Sequence, residues 1–257
     1  KEPHFYARDL PVHPHTITED AHYRCLFDAA EDQAYRAEGS VWYFFSEQAP
    51  QAIAQQYPDA KIILLLRHPL EFLQSLYHLY RRSGNEAEAD INIALVREHL
   101  PDHEGVYFPF GLQYLERLHY SESLARWQQY FPPQQLKMCW YEDFYRAPEQ
   151  AFAELCRWLG IADDQNISFD RDEAKRRVQM MALRQIRALP QEVKRKLNRK
   201  ASSIHMGVKS QSLSAATRAE IETYFLQHNQ ALPQQLAGQG PWPKAWQALW
   251  ATHRVAS

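Results

Sequence analysis

The chain has 257 residues, and its 29 Lys and Arg nearly balance 31 Asp and Glu. This length allows one large domain or two small ones, and the balanced charge argues against a surface built to bind nucleic acid. No apolar run reaches the ~20 residues that a membrane-spanning helix needs. The 8 glycines form neither a GxxxxGK[ST] nor a GxGxxG loop, so these residues contain no glycine-rich phosphate cradle.

Cysteine and histidine are placed without any metal-binding spacing. Cys25, Cys139 and Cys156 make neither a disulfide framework nor a CxxC knuckle. Unpaired thiols favour a reducing compartment, so we expect a cytoplasmic protein, or a lumenal one if an N-terminal anchor has been removed. The histidines lack partners at ligand spacing, and no metal site is predicted.

The first half of the chain contains the clearest predicted unit. A helix over 19–37, a strand over 41–45 (VWYFF) and a helix over 49–57 precede it. Residues 61–66 (KIILLL) are typical of a strand buried on both faces of a parallel sheet. Pro69 then suits the first position of a helix, which runs over 70–82 and stops at Gly84.

The second half repeats the alternation of strands and helices. Helices are predicted over 88–99, 111–130, 148–159 and 215–228, and a strand over 136–141 that ends at Glu142-Asp143-Phe144. Gly160 and Ser214 are the predicted caps. A tail with Trp242, Trp246 and Trp250 is expected to be loosely attached. The alternation predicts an α/β fold with a parallel sheet.

We expect one domain over residues 1–257, with an α/β core over 1–170 and a C-terminal helix and Trp-rich tail over 213–257. Between them, residues 171–212 form a basic segment. Its cations within 171–200 are Arg171, Lys175, Arg176, Arg177, Arg184, Arg187, Lys194, Arg195, Lys196, Arg199 and Lys200. Such a run is either a solvated helix face or an electropositive wall for an anionic ligand.

Arg67 and Ser75 are the first candidate site residues. Arg67 ends the predicted strand, at the edge where open α/β sheets bind ligands. A guanidinium fork and a hydroxyl together suit a phosphate monoester. The spacing equally fits a structural role, in which Arg67 pairs with an acidic neighbour and Ser75 is a small packing residue.

The segment of apolar strand, Arg67, Pro69, Ser75 and Tyr77 resembles the 3′-phosphate motif of sulfotransferases that use 3′-phosphoadenosine-5′-phosphosulfate (PAPS). Other blocks are similar to the same family in the same order. They are KEPHFY at 1–6, which resembles the carbohydrate (heparan sulfate type) branch, VWYFF at 41–45, QYLERLHYSESLARWQQYF at 113–131, the strand and turn at 136–144, and the helix end at 151–160.

The resemblance implies a P-loop-type parallel sheet flanked by helices, with PAPS as co-substrate and no metal. By match to the family, Glu2 is the general base, His4 orients the acceptor or assists Glu2, and Lys1 adds positive charge. Arg67 and Ser75 bind the 3′-phosphate. The segment 171–212 closes the donor site, and its loop with Gly207 and Lys209 covers the 3′-phosphate. Without this match, Glu2 and His4 read as a solvated, frayed chain start.

The chain departs from the family pattern in two places. Gly39-Ser40-Val41 stands where the family often has a lysine near the acceptor, and Ser40 replaces only its hydrogen bond. The family's first strand and 5′-phosphosulfate loop come before the Lys-Glu block. We therefore expect an upstream strand and loop that are absent from these residues.

Three functions stay open at this point. The first is PAPS-dependent sulfation of a hydroxyl, most simply of a saccharide, without nucleic acid or membrane partners. The second keeps the donor and changes the acceptor to a hydroxyacyl chain or another small alcohol. The third is a non-catalytic module that binds anionic glycans through residues 171–200.

Overall fold

The structure, a computed structural model, describes residues 2–11, 16–30, 32–97, 106–162, 167, 169 and 212–253. These residues fall into two compact units, one within 1–140 and 212–257 and the other within 141–211. The first unit contains a parallel sheet flanked by helices. The predicted α/β class is thereby confirmed.

Helices and strands alternate along the chain. The helices are α1 (Asp20–Cys25), α2 (Ala49–Gln56), α3 (Pro69–Ser83), α4 (Ile91–Val96), α5 (Tyr120–Tyr130), α6 (Tyr141–Arg146), α7 (Pro148–Leu159), α8 (Ala215–His228), α9 (Leu232–Gln235) and α10 (Lys244–His253). The strands are β1 (Ile62–Leu66) and β2 (Leu136–Trp140), and short 3₁₀ helices span Asp28–Ala30, Val41–Phe45, Pro109–Leu112 and Leu115–Leu118.

Strands β1 and β2 pair in parallel, in register from Ile62 opposite Leu136 to Leu66 opposite Trp140. Leu66 is buried in the core, whereas Ile63 and Leu65 remain 41% and 51% exposed. The prediction that β1 is buried on both faces is therefore wrong. Successive side chains of a strand point to opposite faces, and only one face of β1 is fully covered.

Helix α3 forms where the sequence predicts it. Pro69 occupies its first turn, where the missing N–H has no helical partner to lose. Gly84 ends it in the left-handed conformation at φ 77°, which glycine adopts without strain. Leu70, Leu73 and Tyr77 form its buried face. This strand–turn–helix unit holds Arg67 at the edge of the sheet.

Residues 41–45 form a 3₁₀ helix, so the predicted strand is wrong. The backbone N–H of Tyr43 donates to the carbonyl of Ser40 at 3.1 Å, and that of Ser46 donates to the carbonyl of Tyr43 at 3.2 Å. Trp42 and Tyr43 are both buried although they are adjacent. A short apolar run without alternation cannot be assigned to strand or helix by its periodicity.

Two predicted helices are shorter than expected. The one over 19–37 ends at Cys25 and resumes only as the 3₁₀ turn Asp28–Ala30, because residues 32–37 are exposed and offer no apolar face to pack. The one over 111–130 starts at Tyr120. The Asn229 side chain donates to the carbonyl of Leu118 and accepts from the N–H of Ser121, both at 2.8 Å, so it replaces the helical bonds at that break.

The Trp-rich tail is firmly packed, which corrects the expectation of loose attachment. Trp246 is fully buried, with ring centroids 5.9 Å from His68 and 5.0 Å from Trp140. Large aromatic side chains bury 150–250 Å² each and prefer such tilted and edge-on contacts. Helix α10 thereby covers the turn that follows β1.

The second unit contains α6 and α7 among its described residues. Glu142 and Asp143 lie in the first turn of α6 instead of in a turn that only ends the strand, because acidic side chains are favourable at a helix N-terminus. Gly160 caps α7 at φ 75°, as predicted. All three cysteines are free thiols. Within the described part of the chain, no helix has the length and apolar character to cross a membrane.

Candidate active site

Arg67 directly follows β1, and its backbone carbonyl accepts a hydrogen bond from the Tyr120 hydroxyl at 3.2 Å. Its guanidinium lies 3.6 Å from a carboxylate oxygen of Glu71. Ser75 is exposed one turn further along α3. Glu71 and Ser75 are four residues apart and share one face of α3, and Arg67, which precedes the helix, contacts Glu71 on that face. Because Ser75 is exposed, the alternative in which it is a small packing residue is wrong. The other part of that alternative, an ion pair between Arg67 and an acidic neighbour, is present.

The N-terminal segment is built into the core. His4 is only 3% exposed, and Pro3 is also buried, with its carbonyl accepting from the N–H of Ile17 at 2.8 Å. The reading of these residues as a frayed chain start is wrong. Glu2 keeps about a third of its side chain exposed, and its carboxylate lies 3.9 Å from the His4 Nε2. That separation allows charge attraction but is too long for a hydrogen bond.

Glu2 and His4 have left-handed backbones, with φ 57° and φ 51°. Non-glycine residues pay about 1–2 kcal/mol for this conformation and keep it where the surroundings impose it. Such outliers cluster at functional sites. Here two of them bracket Pro3 and set the direction in which the Glu2 carboxylate points.

Two hydroxyl groups hold this segment from the 3₁₀ helix Val41–Phe45 and its preceding residue. The N–H of His4 donates to Ser40 Oγ at 3.1 Å, and the N–H of Tyr6 donates to the Tyr43 hydroxyl at 3.2 Å. Ser40 Oγ in turn donates to Glu38 at 3.1 Å. Burial raises the pKa of Tyr43, and the Glu38 carboxylate contributes to that rise, so Tyr43 also interacts with Glu38. Both hydroxyls therefore connect residues 4–6 to the half-buried Glu38 carboxylate.

Tyr80 of α3 interacts electrostatically with both Arg117 and Glu2. Burial raises the pKa of Tyr80, and the Glu2 carboxylate contributes to that rise. The Arg117 guanidinium lies 3.7 Å from the Phe110 ring centroid, and burial lowers its pKa to about 10. A Cβ on Gly111 would lie 2.1 Å from the Tyr80 hydroxyl oxygen. Glycine is therefore required at this close approach.

A cavity of about 400 Å³ opens beside the same N-terminal segment. Its lining combines Phe5 and Tyr6 with Arg8, Asp20 and Gln48. Its volume falls in the range of small-molecule sites. Phe5 and Tyr6 are almost fully buried, so a ligand here would chiefly meet amide and charged groups, which suit a polar compound such as a sugar.

The structure thus brings Glu2 near His4 and Arg67 to Glu71, which shares a face of α3 with Ser75. Lys1, Gly207 and Lys209 lie outside the described residues, as does the basic run 171–200. Among the described residues, no cluster of three or more His, Cys, Asp or Glu side chains could hold a metal ion. The aromatic side chains of Phe108, Tyr114 and Tyr120 are buried in the core.

Sequence reasoning missed Glu38 and Tyr43. The relevant side chains occur in the pattern Glu38-x-Ser40-x-x-Tyr43, next to the place where the family often has a lysine. The strand predicted over 41–45 concealed their relationship, because residues 40 and 43 would point to opposite faces of a strand. In a 3₁₀ helix, side chains three residues apart eclipse one another.

The comparisons with known proteins agree with this fold. A model of the sulfotransferase family matches residues 6–165, a range that includes Glu38, Arg67 and Ser75. That range is more than half of the chain. The chain belongs to the sulfotransferase family.

Curated relatives point to one branch of this family. Over 136 residues, which are 51% of this chain and 15% of the relative, the chain is 29% identical to the bifunctional heparan sulfate N-deacetylase/N-sulfotransferase 3 of Mus musculus. It matches the Homo sapiens enzyme of the same name, and enzyme 4 of Mus musculus, with the same identity and coverage. The chain spans about 15% of the length of these relatives.

A solved structure shares the fold. A sulfotransferase from Alicyclobacillus acidocaldarius superposes with a TM-score of 0.67 at 22% identity, over 96% of this chain and 86% of that one. This likeness is one of fold. It supports the α/β class with a parallel sheet that the sequence predicts.

Proposed function

We propose that this protein transfers the sulfuryl group of PAPS to an acceptor group of a saccharide. The observation that carries the proposal is the position of Arg67 at the carboxyl end of β1, in contact with Glu71 on the face of α3 that carries Ser75, inside the range that matches the sulfotransferase family. Ligands of open α/β sheets bind at this edge. The two side chains supply the cation and the donor that a phosphate monoester requires.

The donor side rests on Arg67 and Ser75. PAPS supplies a sulfuryl group whose bond to the 5′-phosphate is broken in the reaction. The guanidinium of Arg67 is only partly exposed, which strengthens its attraction for the dianionic 3′-phosphate compared with a fully solvated cation. Gly207 and Lys209 are proposed to close over the same phosphate, with the wider segment 171–212.

The acceptor side rests on Glu2, assisted by His4 and Lys1. As the acceptor oxygen or nitrogen bonds to sulfur, it loses its proton to the Glu2 carboxylate. The sulfur–oxygen bond to the 5′-phosphate breaks, and adenosine 3′,5′-bisphosphate leaves with the electron pair. A general base must lie within hydrogen-bond reach of that proton. The strained backbone of Glu2 fits such positioning, because it fixes where the carboxylate points.

A saccharide is the proposed acceptor class because the curated relatives are named for heparan sulfate. The cavity beside Phe5 and Tyr6, with Arg8, Asp20 and Gln48 in its lining, suits a sugar ring better than an acyl chain. A hydroxyl is the first candidate nucleophile. An amine of the sugar is the second, because those relatives are named N-sulfotransferases.

The test uses radiolabelled PAPS with a panel of acceptors. N-acetylated and N-unsubstituted heparan-type oligosaccharides separate hydroxyl from amine sulfation, and a hydroxyacyl thioester serves as the non-sugar arm. We expect label on a saccharide and none on the thioester. Absence of transfer to any saccharide, together with undetectable calorimetric binding of adenosine 3′,5′-bisphosphate, would contradict the proposal.

A further inference from the structure

We infer that Glu38 is a positioning residue for the candidate base: its carboxylate orients the Ser40 and Tyr43 hydroxyls, which hold the Glu2–His4 backbone in its left-handed conformation. The inference rests on the proposed role of Glu2. It adds a residue that has no contact with the transferred group and acts through two others.

The first connection runs from Glu38 through Ser40 to His4. Ser40 Oγ donates to Glu38 Oε2 at 3.1 Å and accepts from the His4 N–H at 3.1 Å. The hydroxyl proton and a lone pair of the same oxygen are thus both engaged. Ser40 lies 36 residues from His4 along the chain, so this is a tertiary bond and not a local turn.

The second connection runs from Glu38 through Tyr43 to Tyr6. Burial raises the pKa of Tyr43, and the nearby Glu38 carboxylate adds to that rise, so the two side chains interact. The Tyr43 hydroxyl accepts from the Tyr6 N–H at 3.2 Å. Tyr43 is 7% exposed, so water competes little for this bond. The two connections are parallel, and they reach amides two residues apart on either side of Phe5.

A carboxylate is the group that can orient both hydroxyls at once. An ionised carboxylate only accepts hydrogen bonds, whereas a hydroxyl both donates and accepts. With both hydroxyl protons directed at Glu38, both oxygens present lone pairs to the incoming amides. A carboxamide has an NH2 donor in place of one oxygen, so a hydroxyl facing that side loses the acceptor for its proton and is no longer held in one orientation.

The 3₁₀ helix Val41–Phe45 brings the two hydroxyls to one side. Ser40 is the residue that precedes this helix and Tyr43 follows it by three positions, a spacing at which 3₁₀ side chains eclipse. Burial raises the pKa of Glu38, and its hydrogen bonds to Tyr43 and Ser40 lower it. These two opposing effects on the pKa are typical of a partly buried carboxylate that accepts hydrogen bonds.

The bond at His4 matters for Glu2 because the strained residues adjoin it. Glu2 at φ 57° and His4 at φ 51° relax to ordinary backbone angles unless their amides and carbonyls are held. Pro3 is anchored by Ile17 on one side. The hydroxyl of Ser40 supplies the anchor on the other, so loss of its orientation frees the Glu2 carboxylate.

The test compares Glu38→Gln with Asp9→Asn in the full chain. Asp9 is a matched control: it also accepts from a serine hydroxyl, Ser46, and from a backbone N–H, that of Glu47, but neither belongs to the Glu2–His4 segment. In ¹⁵N-labelled protein, we expect Glu38→Gln to speed amide hydrogen exchange at His4 or Tyr6 by about three- to tenfold. Asp9→Asn leaves both unchanged.

Turnover gives the second readout. Glu38→Gln is expected to lower kcat for sulfuryl transfer by about 10- to 100-fold, as small misplacements of a reacting group do, with the KM for PAPS unchanged. Ser40→Ala should speed exchange at His4 alone, and Tyr43→Phe at Tyr6 alone. These single-bond variants keep the inference testable if Glu38→Gln folds poorly.

Exchange at His4 and Tyr6 that is as slow in Ser40→Ala and Tyr43→Phe as in the parent protein overturns the inference. Faster exchange with an unchanged kcat also overturns it, because Glu38 would then be structural only. If the parent protein transfers no sulfuryl group, the proposed function fails. The inference then fails with it as a statement about catalysis, while the exchange data still report separately on the two hydroxyl connections.

Discussion

The Nε atom of Arg67 lies 3.6 Å from a carboxylate oxygen of Glu71, one turn into the following helix. The pair is partly exposed, at 27% and 51% for the two side chains, and such surface pairs contribute only about 0–1 kcal/mol. Because this ion pair is weak, a phosphate group can compete with Glu71 for the Arg67 guanidinium at the end of β1.

Glu71→Gln should tighten binding of adenosine 3′,5′-bisphosphate. The carboxylate competes for Arg67 and repels a phosphate placed between Arg67 and Ser75, so its neutralisation favours the ligand by about three- to fivefold. Isothermal calorimetry measures this directly, and the effect should shrink at high salt. Weaker binding by Glu71→Gln would mean that Glu71 itself supports the ligand site, by accepting a hydrogen bond from a bound water or by binding a cation.

Removal of the phosphate-binding groups should weaken the same ligand in proportion to their charge. Arg67→Ala should cost about 10- to 100-fold in affinity, because it removes charge-assisted hydrogen bonds, and Ser75→Ala about three- to tenfold. Arg82→Ala is the control, since Arg82 is an exposed arginine of the same helix. Equal losses for Arg67→Ala and Arg82→Ala would point to a general effect of charge and not to a site.

Gly111→Ala should destabilise the fold by about 1–3 kcal/mol, because a new Cβ lies 2.1 Å from the Tyr80 hydroxyl oxygen. Tyr80→Phe should recover part of the loss and not all of it, since Tyr80 Cζ and Phe108 Cδ1 remain within 2.6 and 2.8 Å of the same position. Urea denaturation measures both variants. Gly39→Ala, where nothing lies within 4 Å, is the control and should change little.

His68 should make the protein less stable in mild acid. Burial beneath Trp246 lowers the pKa of His68 below its usual value of 6.5, although Glu71 opposes the shift. At a pH between the two pKa values, His68 of the unfolded chain binds a proton that His68 of the folded chain does not bind. Stability therefore falls as the pH drops from 6.5 towards the folded pKa, and it gains nothing from this residue above 6.5.

His68→Asn should flatten that acid limb, as measured by denaturation between about pH 5 and 8. Asparagine keeps a side chain suited to the position before the helix, so the comparison concerns slope and not only total stability. His22→Asn is the control, because His22 is exposed. An acid limb as steep in His68→Asn as in the parent would show that other groups dominate it.

The strand–turn–helix unit around Arg67 was predictable because its signals are local. Pro69 at the helix start and Gly84 at its end act through their own backbone, and both have the conformation that their type dictates. The position of Arg67 at the sheet edge follows from the strand that precedes it. Its ion pair with Glu71 is likewise local, at a spacing of four residues.

The setting of Glu2 and His4 was not predictable in the same way. Their left-handed backbone depends on Ser40, Tyr43 and Glu38, which lie more than thirty residues away. The assignment of residues 41–45 as a strand separated these hydroxyls in the prediction. The firm packing of the tail was unpredictable for a related reason. Its glycines and prolines indicate loops, but Trp246 packs against His68 and Trp140, which are distant in sequence.

The most direct test of the account is the rate of sulfuryl transfer from radiolabelled PAPS to a heparan-type oligosaccharide by the protein and by Glu2→Gln. We expect transfer by the protein, and a fall of about 100-fold or more in Glu2→Gln, the size expected for loss of a general base. Affinity for adenosine 3′,5′-bisphosphate should be unchanged. Equal rates for the two proteins, or no transfer by either, would contradict the account.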